Sequence, residues 1–289
     1  MGCLLGALSI LAATAGASAQ EYKIKINRPE KVGDSYALSA KGSSTNQTNA
    51  TIPGAPPQAQ EKKDEIELQG TVKVLEVDGQ GQATKLSCAV EKCVLNDKPL
   101  YERGDVITAE HVGTKTEYTV KGEKVDEATE KALSIVLDTA DAEQKSDDDA
   151  SFGTDQAQKV DGTWPVHAEA IAHELSRRGM AVKAENVKGT GKLAAVKQVD
   201  GKDVLTVVVD VTIDGVKPPM PPNIAVESGS LTLHMSGDVP ADENAHPLSQ
   251  SALMGMKVRA TAPGPNNQNV VVDVDFSQKA DKTFGDAKK

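Results

Sequence analysis

The feature that most constrains the fold of this chain is an alternation of apolar and polar residues with a period of two. Successive side chains of a strand point to opposite faces, so this period is typical of sheets with one buried face. Hairpin-type turns at Asp78-Gly79 and Asp200-Gly201 separate neighbouring segments. We therefore predict a mainly β (α+β) fold with an antiparallel sheet. The alternating segments are residues 22–26, 71–77, 83–94, 117–120, 203–213, 230–235 and 269–276.

Two segments have the periodicity of amphipathic helices instead. Residues 126–139 start with Asp126 as an N-cap, and residues 164–178 have Pro165 in the first turn and Gly179 after the last. We predict that both helices pack on the sheet. Two further segments, 42–63 and 142–158, are polar and poor in apolar residues, which predicts mobile loops or linkers.

A repeated order of short motifs predicts a fold built from two similar halves. Residues 31–36 (KVGDSY) recur in outline as residues 159–164 (KVDGTW). Each motif is followed by a Gly-Thr segment, at 70–74 and 189–193, and then by an Asp-Gly turn. A separation of roughly 120 to 130 residues is too long for a solenoid repeat and fits a duplicated half-domain.

The first residues predict export. Residues 1–19 carry no charge, contain an apolar run and end in Ala17-Ser18-Ala19, the small-x-small cleavage pattern. We interpret residues 1–19 as a signal peptide, and the absence of basic residues before the apolar run indicates a mis-assigned start codon or a weakly recognised signal. A short membrane anchor is the open alternative, although the run is shorter than the ~20 residues of a membrane span. The β-rich halves are then 20–145 and 146–289, which can pack as one domain. No later apolar stretch approaches the ~20 residues of a membrane span, so we expect a secreted or periplasmic protein without a transmembrane segment after cleavage.

Charge and aromatic content exclude several partners. The formal net charge is −10, and no basic stripe with interleaved aromatic residues occurs, which argues against nucleic acid. Aromatic residues make up 3% of the chain, too few for a typical stacking platform for sugars or single-stranded nucleic acid.

Cys88 and Cys93 are the cysteines that remain after the predicted signal peptide, and an even number in a secreted chain allows a disulfide. On one regular strand, residues five apart point to opposite faces and lie about 16 Å apart, so a bridge needs a turn or bulge between them. Two buried free thiols are the alternative that stays open. A thiolate metal site lacks its second pair of ligands.

No sequence motif predicts a catalytic, cofactor-binding or metal-binding residue. His173-Glu174 begins like a zincin helix, but Arg177 stands where the second ligand belongs. The run 147–149 of three aspartates lacks the glycine and glutamate of a calcium loop, so we expect a solvated acidic loop. A triad assembled in space around His111, His234 or His246 stays open.

The layout of these motifs resembles a domain-of-unknown-function family of secreted, β-rich bacterial proteins. The resemblance rests on the segments 32–36 and 160–164, the Asp-Gly hairpins and the Pro- and Gly-rich second half, and it spans most of residues 21–277. It implies a periplasmic or exported protein with an incomplete barrel capped by helices, as in periplasmic lipoprotein carriers. It implies no catalytic residues.

Together these features favour a non-enzymatic, exported protein without a cofactor. Its expected partner is an apolar or amphipathic, lipid-like ligand, or else an envelope protein if its role is structural. Ligand binding predicts a cavity lined by Val, Leu, Ile and Met. The alternative is a hydrolase with a site assembled from loops, which predicts a histidine within hydrogen-bond reach of a serine or carboxylate in a polar cleft.

Overall fold

The computed structural model describes residues 20–113, 115–140, 148–264 and 268–287. The signal peptide predicted for residues 1–19 lies outside these ranges. The described part forms a 13-stranded sheet, a separate pair of strands and three α-helices. The strands are β1 (Tyr22–Ile24), β2 (Ser35–Thr51), β3 (Gln58–Val77), β4 (Ala83–Leu95), β5 (Lys98–Tyr101), β6 (Val106–Val112), β7 (Lys115–Val120), β8 (Glu123–Lys124), β9 (Thr154–Gln158), β10 (Thr163–Pro165), β11 (Val187–Val199), β12 (Lys202–Asp214), β13 (Ala225–Pro240), β14 (Ser249–Pro263) and β15 (Asn269–Asp286). The helices are α1 (Glu127–Val136), α2 (Asp148–Phe152) and α3 (Ala168–Arg177), with a 3-10 turn at Ala184–Asn186.

The large sheet is antiparallel throughout. Its strand order is β10-β11-β12-β13-β14-β15-β2-β3-β4-β6-β7-β8, with β5 beside β4. The last strand, β15, pairs with β2 without a register shift, so strands from early and late in the sequence are neighbours in the middle of the sheet. Among the described strands, β10 and β8 end the sheet and do not pair, so the sheet is not closed. The predicted mainly β fold with an antiparallel sheet is confirmed.

Two separate hydrophobic cores lie on one face of the sheet, which we call the inner face. α1 covers the first core, over β2, β3, β4, β6 and β7. A Cβ placed on Gly42 of β2 would lie 2.5 Å from Ile135 Cγ2, so glycine is required where α1 meets the sheet. The second core lies under α3 and Trp164, over β11 and β12.

α1 begins where its sequence predicts. Asp126 is the N-cap and accepts the Thr129 amide at 2.9 Å, and the same carboxylate accepts the Thr129 hydroxyl. The helix ends at the edge of the first core, where the Tyr118 hydroxyl donates to the carbonyl of Leu137 at 2.5 Å. This buried hydrogen bond fixes the end of α1 against β7.

Three sequence predictions on local structure were wrong. The segment 164–178 is not one helix, because Trp164 pairs with Gly191 in the sheet and α3 starts only after His167. The polar segment 42–63 is no mobile loop but the outer part of the β2–β3 hairpin, held by backbone hydrogen bonds that polar side chains do not prevent. The described part of 142–158 contains α2 and β9, and β9 pairs with β1.

The two copies of the repeated motif make the same hydrogen bonds. The amide of Gly33 donates to the Val74 carbonyl at 2.9 Å, and the amide of Asp161 donates to the Leu193 carbonyl at 2.8 Å. Gly33 and Asp161 both have positive φ, +95° and +67°. Each motif therefore begins with an equivalent tight turn that leads into an equivalent strand pair, β2–β3 and β10–β11. Duplication of the halves 20–145 and 146–289 stays a prediction that this equivalence favours.

Candidate ligand site on the inner face

The inner face is left partly uncovered between the two cores. Alternation along β15 places Phe276, Ala280 and Lys282 on this face, and unbroken registers carry the same face across β14 and β2. The opposite face bears charged residues that pair across strands, such as Lys257 with Asp275 at 3.3 Å. The uncovered middle of the inner face is the candidate site.

An apolar cavity of about 310 Å³ lies over the middle of the sheet. Its floor comes from four adjacent strands, β12 to β15, and its walls come from α1 and from the segment after β1. This volume is at the lower end of the ~300 to 1,000 Å³ that is usual for ligand pockets. The apolar lining residues are Ile26, Ile135, Val207, Val209, Met235, Val239, Ala252 and Ala280.

The apolar surface continues beyond this cavity along the same face. We call it the methionine strip, consisting of Met235, Met254 and Met256 with Leu233 and Phe276. The register pairs Leu233 with Met254 and Met256 with Phe276, so all five side chains share the inner face, and all are only partly buried. Methionine side chains adapt to ligands of varied shape, and uncovered apolar surface of this kind is typical of ligand grooves.

A second, more polar cavity of about 220 Å³ adjoins the first. Tyr36, His246 and Phe284 cluster there, with His246 ring centroids 4.2 Å from Tyr36 and 4.9 Å from Phe284. His246 Nε2 lies 3.2 Å from Glu30 Oε1. Burial raises the pKa of the Tyr36 hydroxyl, and the nearby Glu30 carboxylate adds to this shift.

Arg28 fixes the chain beside this cavity. Arg28 is 8% exposed, and its guanidinium donates to the carbonyls of Asp242 at 2.8 Å and Pro240 at 2.9 Å. Asp149 holds the same segment from α2, because its carboxylate accepts the Ile26 amide at 2.6 Å. The expectation that Asp149 belongs to a solvated loop was therefore wrong.

Lys282 stands where the two cavities meet. It lines both, and its neighbours in the sheet are Ala40 on β2 and Gln250 on β14. Burial lowers the pKa of its amino group, and the charge of Asp138 opposes this effect. Its ammonium makes no hydrogen bond or ion pair with the described residues, while Asp138 accepts the Thr116 hydroxyl and the Thr139 amide, both at 2.9 Å. A partly buried cation without a direct partner is costly to the free protein.

The sequence carried one signal for Lys282 that the prediction missed. The predicted strand ended at Phe276, whereas β15 continues to Asp286. When the alternation is extended, Lys282 falls on the inner face between Ala280 and Phe284, and Gln278 is a second polar residue on that face. A lysine on the apolar face of a strand is the kind of exception that marks a functional position.

The histidines named for a hydrolase do not come together. His234 Nδ1 lies 2.6 Å from Asp210 on the outer face, where both side chains are exposed, and His111 Nε2 lies near the Gly113 carbonyl. Only His246 lies in a cleft beside a carboxylate, Glu30. Its other ring nitrogen faces the Pro247 carbonyl at 3.4 Å, so no hydroxyl or thiol nucleophile is hydrogen-bonded to this ring among the described residues.

Cys88 and Cys93 are both buried and free in the structure, on β4. A β-bulge between them shifts the register, so Cys88 pairs with Val72 and Cys93 with Leu68, both inward-facing residues of β3. The two cysteines therefore share the core face, in contrast to the opposite faces of a regular strand. Burial raises the pKa of the Cys88 thiol to about 12 and that of Cys93 to about 11.

The described residues contain neither a cluster suited to a metal ion nor a helix suited to span a membrane. Within these ranges, no group of three or more His, Cys, Asp or Glu side chains is arranged to hold a metal ion. None of the helices placed in the described part is long and apolar enough to cross a membrane.

Comparisons with known proteins do not assign a family. No protein-family model matches the chain, and no curated protein is similar to it. Among solved structures, a LolA superfamily protein of Nitrosomonas europaea is 10% identical over 90% of this chain and 89% of its own, with a TM-score of 0.18. DynF of the dynemicin pathway of Micromonospora chersina is 8% identical over 100% and 94%, with a TM-score of 0.16. OpdQ of Pseudomonas aeruginosa is 8% identical over 87% and 98%, with a TM-score of 0.20. TM-scores this low do not establish a shared fold or function with any of these proteins.

Proposed function

We propose that this protein is a non-enzymatic binding protein that holds an apolar or amphipathic small molecule on the inner face of its sheet. The observation that carries the proposal is the apolar cavity of about 310 Å³ over β12 to β15, continued by the partly exposed methionine strip. Its lining of Val, Ile, Met and Ala is the kind of surface that ligand binding predicts. Leaving it open costs the free protein, because apolar surface stays in contact with water.

The second part of the proposal is export. It rests on the signal pattern of residues 1–19, and it places the binding protein in the periplasm or outside the cell, where an apolar molecule needs a carrier to cross water. The test is native mass spectrometry of protein purified from its own host. A chain that starts at Gln20 and carries an adduct of lipid size supports export and binding together.

Filling the cavity tests the binding site directly. Ala252 lies on the cavity floor, and its neighbour Leu253 points to the outer face and is 45% exposed. We expect Ala252→Trp to lower the affinity for the neutral apolar dye Nile red at least about tenfold, a loss of about 1.4 kcal/mol. Leu253→Trp, on the same strand, is the matched control and should bind like the wild type. Equal dye binding by both variants would contradict the proposed site.

A further inference from the structure

The apolar cavity ends at a cation, and this determines what kind of head group a ligand can carry. Lys282 lies at the junction of the apolar cavity and the polar cavity, and Gln250 and Asp138 line both as well. The methionine strip leads away from it along the same face, and Phe276 lies six residues along β15, about 20 Å at the usual rise per strand residue. A long unbranched chain laid on this strip would place its polar end beside Lys282.

The other cations at the two cavities already have partners. Arg28 donates to two carbonyls, and Lys25 lies 3.5 Å from the Asp149 carboxylate. Lys282 differs from them, because no acceptor among the described residues lies within hydrogen-bond or ion-pair distance of its ammonium. It is therefore the described cavity cation that is available to a ligand.

Three carboxylates also face these cavities, and their positions bear on whether an anionic or a cationic head group is favoured. Glu30 lies against His246, and Asp138 is bound by the hydroxyl of Thr116 and by a backbone amide. Asp148 lines both cavities from α2. Asp138 acts on Lys282 through space but forms no ion pair with it, so the ammonium keeps its donors for a group that enters the cavity.

We infer that the ligand is an anionic amphiphile with an unbranched hydrocarbon chain, whose acidic head binds the ammonium of Lys282 while its chain lies on the methionine strip. This inference rests on the proposed function and adds the charge of the head group to it. A carboxylate head would give Lys282 the charge-assisted hydrogen bond that it lacks in the free protein. The same pairing would remove the cost of a partly buried cation without a partner.

The test compares three ligands that share one chain and differ in the charge of the head: dodecanoate, dodecanol and dodecyltrimethylammonium. Their affinities are measured by displacement of Nile red at neutral pH. We expect dodecanoate to bind about tenfold more tightly than dodecanol, the ratio that one charge-assisted hydrogen bond gives. Dodecyltrimethylammonium should bind more weakly than either.

Variants of β15 assign this preference to one residue. Lys282→Met should reduce the preference for dodecanoate over dodecanol to about one while retaining dodecanol binding, and Lys282→Arg should restore part of it. Lys279→Met is the matched control, because Lys279 lies on the outer face of the same strand and pairs with Asp281 at 2.7 Å. Circular dichroism of each variant shows that it is folded.

The outcomes separate the inference from the proposed function. Equal binding of all three ligands, tighter binding of the cationic one, or a preference that survives in Lys282→Met overturns the inference and leaves apolar binding intact. If none of the ligands displaces Nile red and the dye itself does not bind, both fail together.

Discussion

At the scale of single residues, Lys282 lies where a charge is unfavourable for the free protein. The same charge is the one that we propose binds the head group of the ligand. The β15 neighbours of Lys282 on the inner face, Ala280 and Phe284, are apolar, and burial lowers its pKa. A partly buried charge without a hydrogen bond lowers the stability of the free protein, so stability alone does not explain a lysine at this position. The residue therefore links the energetics of the free protein to the ligand proposed for it.

Lys282→Met should stabilise the ligand-free protein by about 1 kcal/mol at neutral pH, since it removes a partly buried charge without a direct partner. The folded state of the wild type binds fewer protons than the unfolded state between the lowered pKa of Lys282 and its ordinary value of 10.5. Wild-type stability therefore rises with pH in that window, and the advantage of the variant shrinks as pH approaches 10.5. Urea unfolding from pH 7 to 10.5 measures this difference, with Lys279→Met expected to change little at any pH.

Cys88 and Cys93 give a second prediction at this scale. Both thiols are buried and have raised pKa values, so they are protonated and inaccessible at pH 8. We expect no labelling of the native protein by a maleimide within the time in which the urea-unfolded protein takes up two labels. Two labels only after reduction would show that a Cys88–Cys93 disulfide forms instead.

At the scale of elements, α1 follows from its local sequence, whereas the β2–β3 hairpin depends on tertiary contacts. The boundaries of α1 follow from its Asp126 N-cap and its apolar stripe, which act within a few residues. The hairpin follows from pairing of β2 with both β3 and β15. Its polar outer part has no local strand signal, so the sequence predicted a mobile loop there.

Gly42→Val should separate α1 from the sheet. The first added carbon would lie 2.5 Å from Ile135 Cγ2 and 3.0 Å from Val136 Cγ1, so the helix must shift. We expect a loss of about 1 to 3 kcal/mol in unfolding free energy, as is usual for overpacked contacts. Gly285→Val on β15, where an added carbon would meet nothing within 4 Å, is the control and should unfold like the wild type. Similar losses in both variants would mean that the contact with α1 is not the cause.

At the scale of the whole molecule, the candidate site lies where two separately covered cores leave the middle of one sheet open. Ile135 of α1 belongs to the first core and Ile26 packs against the second, yet both line the apolar cavity. A ligand in this cavity would therefore contact both cores at once. Binding only to the folded state raises its stability, and local contacts slow local opening.

Hydrogen exchange with bound dodecanoate should show this link. We expect slower amide exchange in α1 and in the segment around β1, and little change in β6 and β7, which lie away from the cavity. Mass spectrometry of peptides from the free and the bound protein measures the difference. Protection confined to one core would contradict a site shared by both.

Elements with local signals can be predicted from the sequence alone. The period-two alternation determined strands, the Asp-Gly pairs determined hairpin turns, and the Asp126 cap determined the start of α1, because each depends on residues close in the chain. Three other features depend on contacts between distant residues: β15 pairs with β2, Trp164 is a strand residue paired with Gly191, and a bulge turns Cys88 and Cys93 to one face. Long-range contacts also specify the site, since the inner face of β15 at Lys282 lines a cavity only when Ile26, Ile135 and the neighbouring strands are brought together. These contacts join residues far apart in the chain, and their free energy depends on packing that no local pattern records.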